Sequence, residues 1–158
     1  MNAISITRAR SESDIAQVRG LFVEYAAAIG VDLEFQGFGA ELASLPGKYA
    51  PPGGELFLAR VNGEASGCVA LRALDDSTLE LKRLYVRPDT RGLGLGKRLV
   101  EAAIASARQS GFGELRLDTL ASMASAQALY RSFGFVEIPP YGKDHLQGTC
   151  FYGLPLAD

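Results

Sequence analysis

Apolar and polar positions change period several times along the chain, and each change predicts an element. Residues 3–8 alternate, with Ile4 and Ile6 set between Ser5 and Thr7, the two-residue period of a strand. From 14 to 29, Ile15, Val18, Leu21, Phe22, Tyr25 and Ala26 recur at helical spacing, and Ser11 or Ser13 is placed to cap the first turn. Residues 30–54 lose both rhythms. Gly37, Gly39, Pro46, Gly47, Pro51, Pro52, Gly53 and Gly54 punctuate them and leave room for one short helix near 40–45. A loop this long is often functional, so part of a substrate pocket is expected here, with Phe35 and Phe38 either lining it or filling the core.

A meander follows, with strands at 55–61, 64–74 and 78–86. Asn62-Gly63 makes the first turn, since both residues tolerate the positive φ of a tight hairpin. Simple alternation in the third strand puts Leu79, Leu81, Arg83 and Tyr85 on one face and Glu80, Lys82, Leu84 and Val86 on the other. Pro88 ends it. Leu95, Leu99, Ala102, Ala103 and Ala107 then form the apolar stripe of a helix that stops at Ser110-Gly111. A short strand at 114–118 precedes a helix over 123–133, capped by Ser122 and closed by Gly134. Strands at 135–138 and 149–154 complete the chain. The sum is α+β: a mixed, mostly antiparallel sheet of six to seven strands flanked by about four helices, in one domain spanning 1–158.

Composition narrows the function. The 158 residues are 47% hydrophobic and 22% charged with a formal net charge of -2, so no strong positive field calls for nucleic acid. No apolar run is long enough for a membrane span, and the expected location is the cytoplasm. Cys68 and Cys150 read as free thiols, and the single histidine, His145, defines no metal site. In the turn 86–97, Gly92, Gly94 and Gly96 let backbone approach a ligand, and the following helix offers unpaired N–H groups to an anion. A P-loop would need glycine at Arg91 and a hydroxyl residue at Arg98. A dinucleotide fingerprint would need glycine at Lys97. Both patterns fail, and with them a nucleotide hydrolase.

Val86-x-Pro88-x-x-Arg91-Gly92-x-Gly94-Leu95-Gly96-Lys97-x-Leu99 resembles the pyrophosphate turn of the GCN5-related N-acetyltransferase (GNAT) superfamily. Ala126-x-x-Leu129-Tyr130-x-x-Phe133-Gly134-Phe135 is similar to its later helix and strand. The likeness is strong over about 55–138, and 80–141 looks like a widespread group of bacterial acetyltransferases. It implies acetyl-CoA as cosubstrate, an amine acceptor and no metal. Backbone at Leu84, Tyr85 and Val86 would pair with the pantetheine arm, and Arg91, Gly92, Leu93, Gly94, Leu95, Gly96 and Lys97 would hold the pyrophosphate. Many members carry asparagine at the start of the later helix, where this chain has Met123; Ser122 or Ser125 would supply a hydroxyl instead, or the backbone would suffice.

Acyl transfer to an amine needs a base for the ammonium proton, a donor to the oxyanion and a proton for the leaving thiolate. By resemblance Glu80 is the first choice of base, with burial beside Leu84 raising its pKa and Lys82 or Arg83 pulling it back. Tyr130 would give the thiolate its proton and touch the donor, and an N–H near Val86 would face the oxyanion. Tyr141 and Asp118 are weaker candidates, for lining the acceptor pocket and for a strand-end polar contact. The expected activity is acetyl transfer from acetyl-CoA to a primary amine of a small molecule, amino acid or peptide in a ternary complex. A non-catalytic acyl-CoA-binding module of the same fold is the alternative. The strand at 149–154 is a candidate for pairing across a homodimer.

Overall fold

The computed structural model describes residues 2–142 and 145–156. The alternating start forms β1 (Ile4–Arg8). Helix α1 (Glu12–Ile29) begins where the Ser11 hydroxyl accepts the Asp14 N–H at 3.0 Å, and it ends at Gly30, whose φ of +69° a side chain would resist. The glycine- and proline-rich stretch holds the short helix α2 (Phe38–Ser44) between 3-10 turns at Leu33–Gln36 and Gly47–Tyr49. The meander is β2 (Gly54–Val61), β3 (Glu64–Ala73) and β4 (Thr78–Val86), and Asn62 and Gly63 turn its first corner with φ of +52° and +86°. Then come α3 (Leu95–Gln109), β5 (Glu114–Leu120), α4 (Ala124–Ser132), β6 (Val136–Glu137) and β7 (Thr149–Pro155).

One seven-stranded sheet runs in the order β1-β2-β3-β4-β5-β7-β6, antiparallel except where α3 carries the chain from β4 to a parallel β5. Both faces are covered. Leu95, Leu99, Val100, Ala103 and Ala107 of α3 lie on Val69, Leu71, Leu79, Leu115 and Leu117, while Val18, Leu21 and Phe22 of α1 lie on Leu56, Leu58 and Ala70. Each fully buried leucine contributes about 1.5–3 kcal/mol, so these two layers make the sheet a rigid frame for whatever its strands present. Cys68 is buried and Cys150 half-buried, both as free thiols. No helix among the described residues is long and apolar enough to cross a membrane.

Local departures from the sequence reading have physical causes. Strand β5 runs two residues past the expected end, so Ser122 falls in the turn beyond it and does not cap α4; Met123 stands at the cap position and its side chain makes no capping bond. Strand β6 is only two residues long. Strand β7 lies between β5, which pairs with it along its length, and β6, which pairs with it only at Val136↔Gly153 and Glu137↔Tyr152.

The largest departure is in β4. Pairing with β3 runs through Leu71↔Leu81 and Ala70↔Lys82, then resumes at Cys68↔Tyr85, leaving Val69 opposite both Arg83 and Leu84. This bulge centres on Arg83, whose φ is +61°. The extra residue reverses the alternation. Leu84 and Val86 join Leu79 and Leu81 on the α3 side, whereas Arg83 and Tyr85 turn to the α1 side. The expected common face of Leu79, Leu81, Arg83 and Tyr85 therefore does not form. Strand β4 also pairs with β5 only at Thr78↔Glu114, Leu79↔Leu115 and Glu80↔Arg116, and beyond these the two strands part.

Candidate active site

The parting of β4 and β5 opens a trough in the sheet, and three adjoining hollows follow it. At one end Leu84, Tyr85 and Val86 of β4 face Ser122, Met123 and Leu129 across a groove that reaches Arg91 and Gly96. The middle hollow shares Tyr25, Leu84 and Met123 with that groove and adds Lys82, Asp118 and Tyr130. The far hollow shares Lys82 and Asp118 with the middle one and adds Lys48, Arg72, Glu80 and Tyr141. Phe35 and His145 line both inner hollows, while Phe38 is buried beneath the Arg83 guanidinium.

The groove end suits an anion. Gly92 and Gly94 have φ of +87° and +78°, and Gly94 caps α3, so the N–H groups of Leu95, Gly96 and Lys97 open the helix with no preceding turn to pair with. A Cβ added at Gly92 or Gly94 would meet nothing within 4 Å, and at Gly96 it would come no nearer than 3.6 Å to Leu129, so the packing of the chain leaves this approach open. Leu95 itself is core, and its side chain packs away from the groove. Leu93 rests against the same core, and Lys97 is exposed. Beyond Glu80 the β4 edge that faces β5 has no ladder partner, which frees main-chain groups of 84–86 toward the groove.

The middle hollow holds Tyr130, which is 5% exposed and packs edge-on to Phe135 at 5.7 Å between ring centroids. Its hydroxyl has no hydrogen-bond partner among the described residues. Burial pushes the phenol well above its ordinary range, and the neighbouring Tyr25 and Asp118 add to this. Asp118 likewise has no hydrogen bond or ion pair among the described residues. Burial raises its carboxyl above the usual aspartate range, with Lys82 pulling against this and Glu80 adding to it.

Glu80 is differently placed. It is 2% exposed, its Oε1 accepts from Arg72 Nε at 2.8 Å, and its Oε2 accepts from the Tyr141 hydroxyl at 2.7 Å. Burial alone would raise its pKa, but the charges of Lys82 and Arg72 and the Tyr141 hydrogen bond hold it below the ordinary glutamate range. The expected net rise is thus not found, because Lys82, Arg72 and Tyr141 together outweigh the burial; the bulge also turns Leu84 to the opposite face. Arg83 is 4% exposed and bonds Glu41 through two nitrogens at 3.0 and 3.1 Å and Gln36 at 3.0 Å.

The structure brings Glu80, Tyr130, Leu84, Tyr85, Val86, Arg91, Gly96, Ser122 and Met123 along one trough; Gly92, Leu93, Gly94, Leu95 and Lys97 shape the turn beside it. Sequence reasoning did not single out Tyr25, Lys48 and Arg72, which line the trough, and gave Asp118 only a strand-end polar contact. Tyr25 kept helical rhythm and passed as core, and the charged residues carried no motif. Their one shared signal, charge placed at inward strand or loop positions, needs the fold to be seen. Among the described residues no group of three or more histidine, cysteine or acidic side chains could hold a metal ion.

Comparison with known proteins places this trough in context. The sequence profile of the acetyltransferase (GNAT) family matches residues 22–135. An uncharacterized N-acetyltransferase of Schizosaccharomyces pombe is 38% identical over 156 residues, covering 98% of this chain and 96% of that one. The likeness therefore extends beyond bacterial chains. A crystal structure of a GNAT-family acetyltransferase from Staphylococcus aureus superposes with a TM-score of 0.82 at 26% identity, covering 98% of this chain and 100% of that one. The fold is shared also with a putative acetyltransferase from Salmonella typhimurium, solved with its cofactor acetyl-CoA, at a TM-score of 0.71 and 20% identity over 99% of this chain and 95% of that one.

Proposed function

Because the chain belongs to the acetyltransferase (GNAT) family, we propose that it moves an acetyl group from acetyl-CoA to a primary amine of a small molecule, amino acid or peptide, by direct attack in a ternary complex. The observation that carries this reading is the unbroken trough from the N-terminus of α3, through the gap between β4 and β5, to Tyr130 and Asp118. An anion cradle at one end and a buried proton donor and acceptor at the other match a pyrophosphate and a thioester joined by an extended arm.

Bound acetyl-CoA supplies an acetyl group activated as a thioester. In the proposed roles, the N–H groups of 92–97 hold the pyrophosphate with Arg91 and Lys97 adding charge. Main-chain groups of Leu84, Tyr85 and Val86 pair with the amides of the arm as an added strand would. The Ser122 and Met123 side of the groove bounds the arm opposite. As the amine nitrogen bonds to the acetyl carbon and the C–S bond breaks, Tyr130 donates to the departing sulfur, and an N–H near Val86 faces the oxygen.

The ammonium proton goes to a carboxylate. Glu80 is one candidate, ionised at any working pH but already accepting from Arg72 and Tyr141. A second reading gives the role to Asp118, favoured by its lack of a hydrogen-bond partner among the described residues and by the burial that makes it the stronger base.

Free-thiol release from acetyl-CoA in the presence of a mixed pool of primary amines tests the activity, with calorimetry reporting donor binding. Amine-dependent release is expected, and Gly94→Ala, strained at φ of +78°, should weaken donor binding about tenfold. Tight binding of acetyl-CoA with no amine-dependent release would instead leave a non-catalytic acyl-CoA-binding module.

A further inference from the structure

The far hollow carries more positive than negative charge. Lys48, Arg72, Lys82 and Arg83 stand at or beside it, against the carboxylates of Glu41, Glu80 and Asp118: four cations and three anions. Two of the anions are shared. Glu41 takes both nitrogens of Arg83 and also Lys48 Nζ at 3.1 Å, and Glu80 Oε1 takes Arg72 Nε at 2.8 Å with Lys82 Nζ 3.6 Å away. Asp118 stands at the border with the middle hollow and makes no ion pair with these cations among the described residues.

Two cations have donors to spare. Arg72 uses only Nε, and its two terminal nitrogens make no hydrogen bond among the described residues while the side chain is 31% exposed to the hollow. A guanidinium with its fork free is shaped to take both oxygens of a carboxylate. Lys82 is a side chain only 8% exposed, yet its ammonium has no acceptor within hydrogen-bond distance among the described residues; the Glu80 oxygen at 3.6 Å is beyond it. Lys82 also lines both inner hollows, so it stands between Arg72 and the place where an amine would meet Asp118 and Tyr130.

We propose that the acceptor carries a carboxylate close to its amine, as an α-amino acid does, and that Arg72 and Lys82 bind that carboxylate while the amine reaches the Asp118 end. The inference rests on the acetyl-transfer reading above. The bound carboxylate completes the hydrogen bonding of a buried ammonium and balances the local charge. The same excess repels polyamines and other cationic acceptors, which adds specificity by exclusion.

The common α-amino acids, each beside its carboxamide and its decarboxylated amine, are compared by free-thiol release from acetyl-CoA. At least one acid is expected to exceed its two neutralised partners in kcat/KM by about tenfold to a hundredfold, the range for a charge-assisted contact. Arg72→Met and Lys82→Met should narrow that ratio through KM of the acid. A loss of fold would lower all three acceptors together and leave the ratio as it was. If amides or decarboxylated amines match or exceed the acids, the carboxylate is not read and the inference falls, while acetyl transfer stands. Release with none of these amines but with others of the mixed pool overturns this inference alone, and release with none of either, from protein that binds acetyl-CoA, overturns the acetyl-transfer reading and this one with it.

Discussion

The Tyr141 hydroxyl donates a 2.7 Å hydrogen bond to Oε2 of Glu80 and so ties the loop before β7 to the middle of β4. The ring of Tyr141 packs edge-on to Phe151 at 5.2 Å and lies beneath the Arg116 guanidinium at 5.4 Å. Strand, loop and sheet thus converge on one carboxylate, whose other oxygen holds Arg72. The wall of the far hollow is fixed at its centre.

Tyr141→Phe removes that donor and keeps the ring. Glu80 then loses one of the contacts that hold its pKa down, and Arg72 loses its fixed partner geometry. Acceptor KM is expected to rise about fivefold with KM for acetyl-CoA unchanged, and stability to fall by about 1 kcal/mol in urea titration. An unaltered acceptor KM would show that the loop does not shape the hollow.

The two carboxylates are separable by pH. A base must be ionised to take a proton, so kcat/KM falls on the acid side through its pKa. That limb lies above the ordinary aspartate value of about 3.9 for Asp118, and below the ordinary glutamate value of about 4.3 for Glu80. Asp118→Asn is expected to cost on the order of a hundredfold and to remove the limb, with Glu80→Gln costing less and leaving it in place. The reverse pattern assigns the base to Glu80. Stability gives an independent sign. The folded pKa of Asp118 is raised, so its charge burdens the native state at neutral pH, and Asp118→Asn should stabilise there but not below the ordinary aspartate range.

Tyr130→Phe should lower kcat on the order of a hundredfold while leaving KM for acetyl-CoA nearly unchanged, measured by steady-state thiol release. The raised phenol stays protonated across the working range, so any basic limb in the wild-type kcat profile must persist in the variant. A variant with full turnover would remove Tyr130 from the chemistry.

Glu41→Gln leaves the Arg83 guanidinium buried without its carboxylate. Loss of one partner of such a pair costs roughly 3–5 kcal/mol, readable in chemical denaturation. Burial works to raise the Glu41 pKa, but Arg83 and Lys48 more than offset it and hold it low. Its contribution is therefore present above the ordinary glutamate range and lost as pH falls through the lowered value. The variant should show a smaller acid-induced loss than the parent.

What could be read from sequence was locally determined. Ser11 caps α1, Asn62-Gly63 turns the hairpin, and Gly92 and Gly94 shape the anion turn because each acts through its own φ or its own side chain within a few residues. Arg83 could not be read this way. Its bulge is held by Glu41, 42 residues earlier, so the alternation of β4 looks regular until the partner is in place. Asp118 was visible as a residue but not as an unpaired one, because its isolation follows from the parting of β4 and β5. Ser122 had cap chemistry, and two further residues of β5 carried it out of the cap position.

The surplus residue at Arg83 has a consequence for how such chains diversify. It divides β4 into two lengths of opposite phase: Glu80 and Lys82 line the far hollow, and residues 84–86 line the groove that reaches Arg91 and Gly96. Replacement on the first length leaves the second undisturbed. On the proposed roles, acceptor preference would change by replacement on the first length without touching donor recognition on the second, a modularity that an unbroken strand, with both sets on a single face, would not permit.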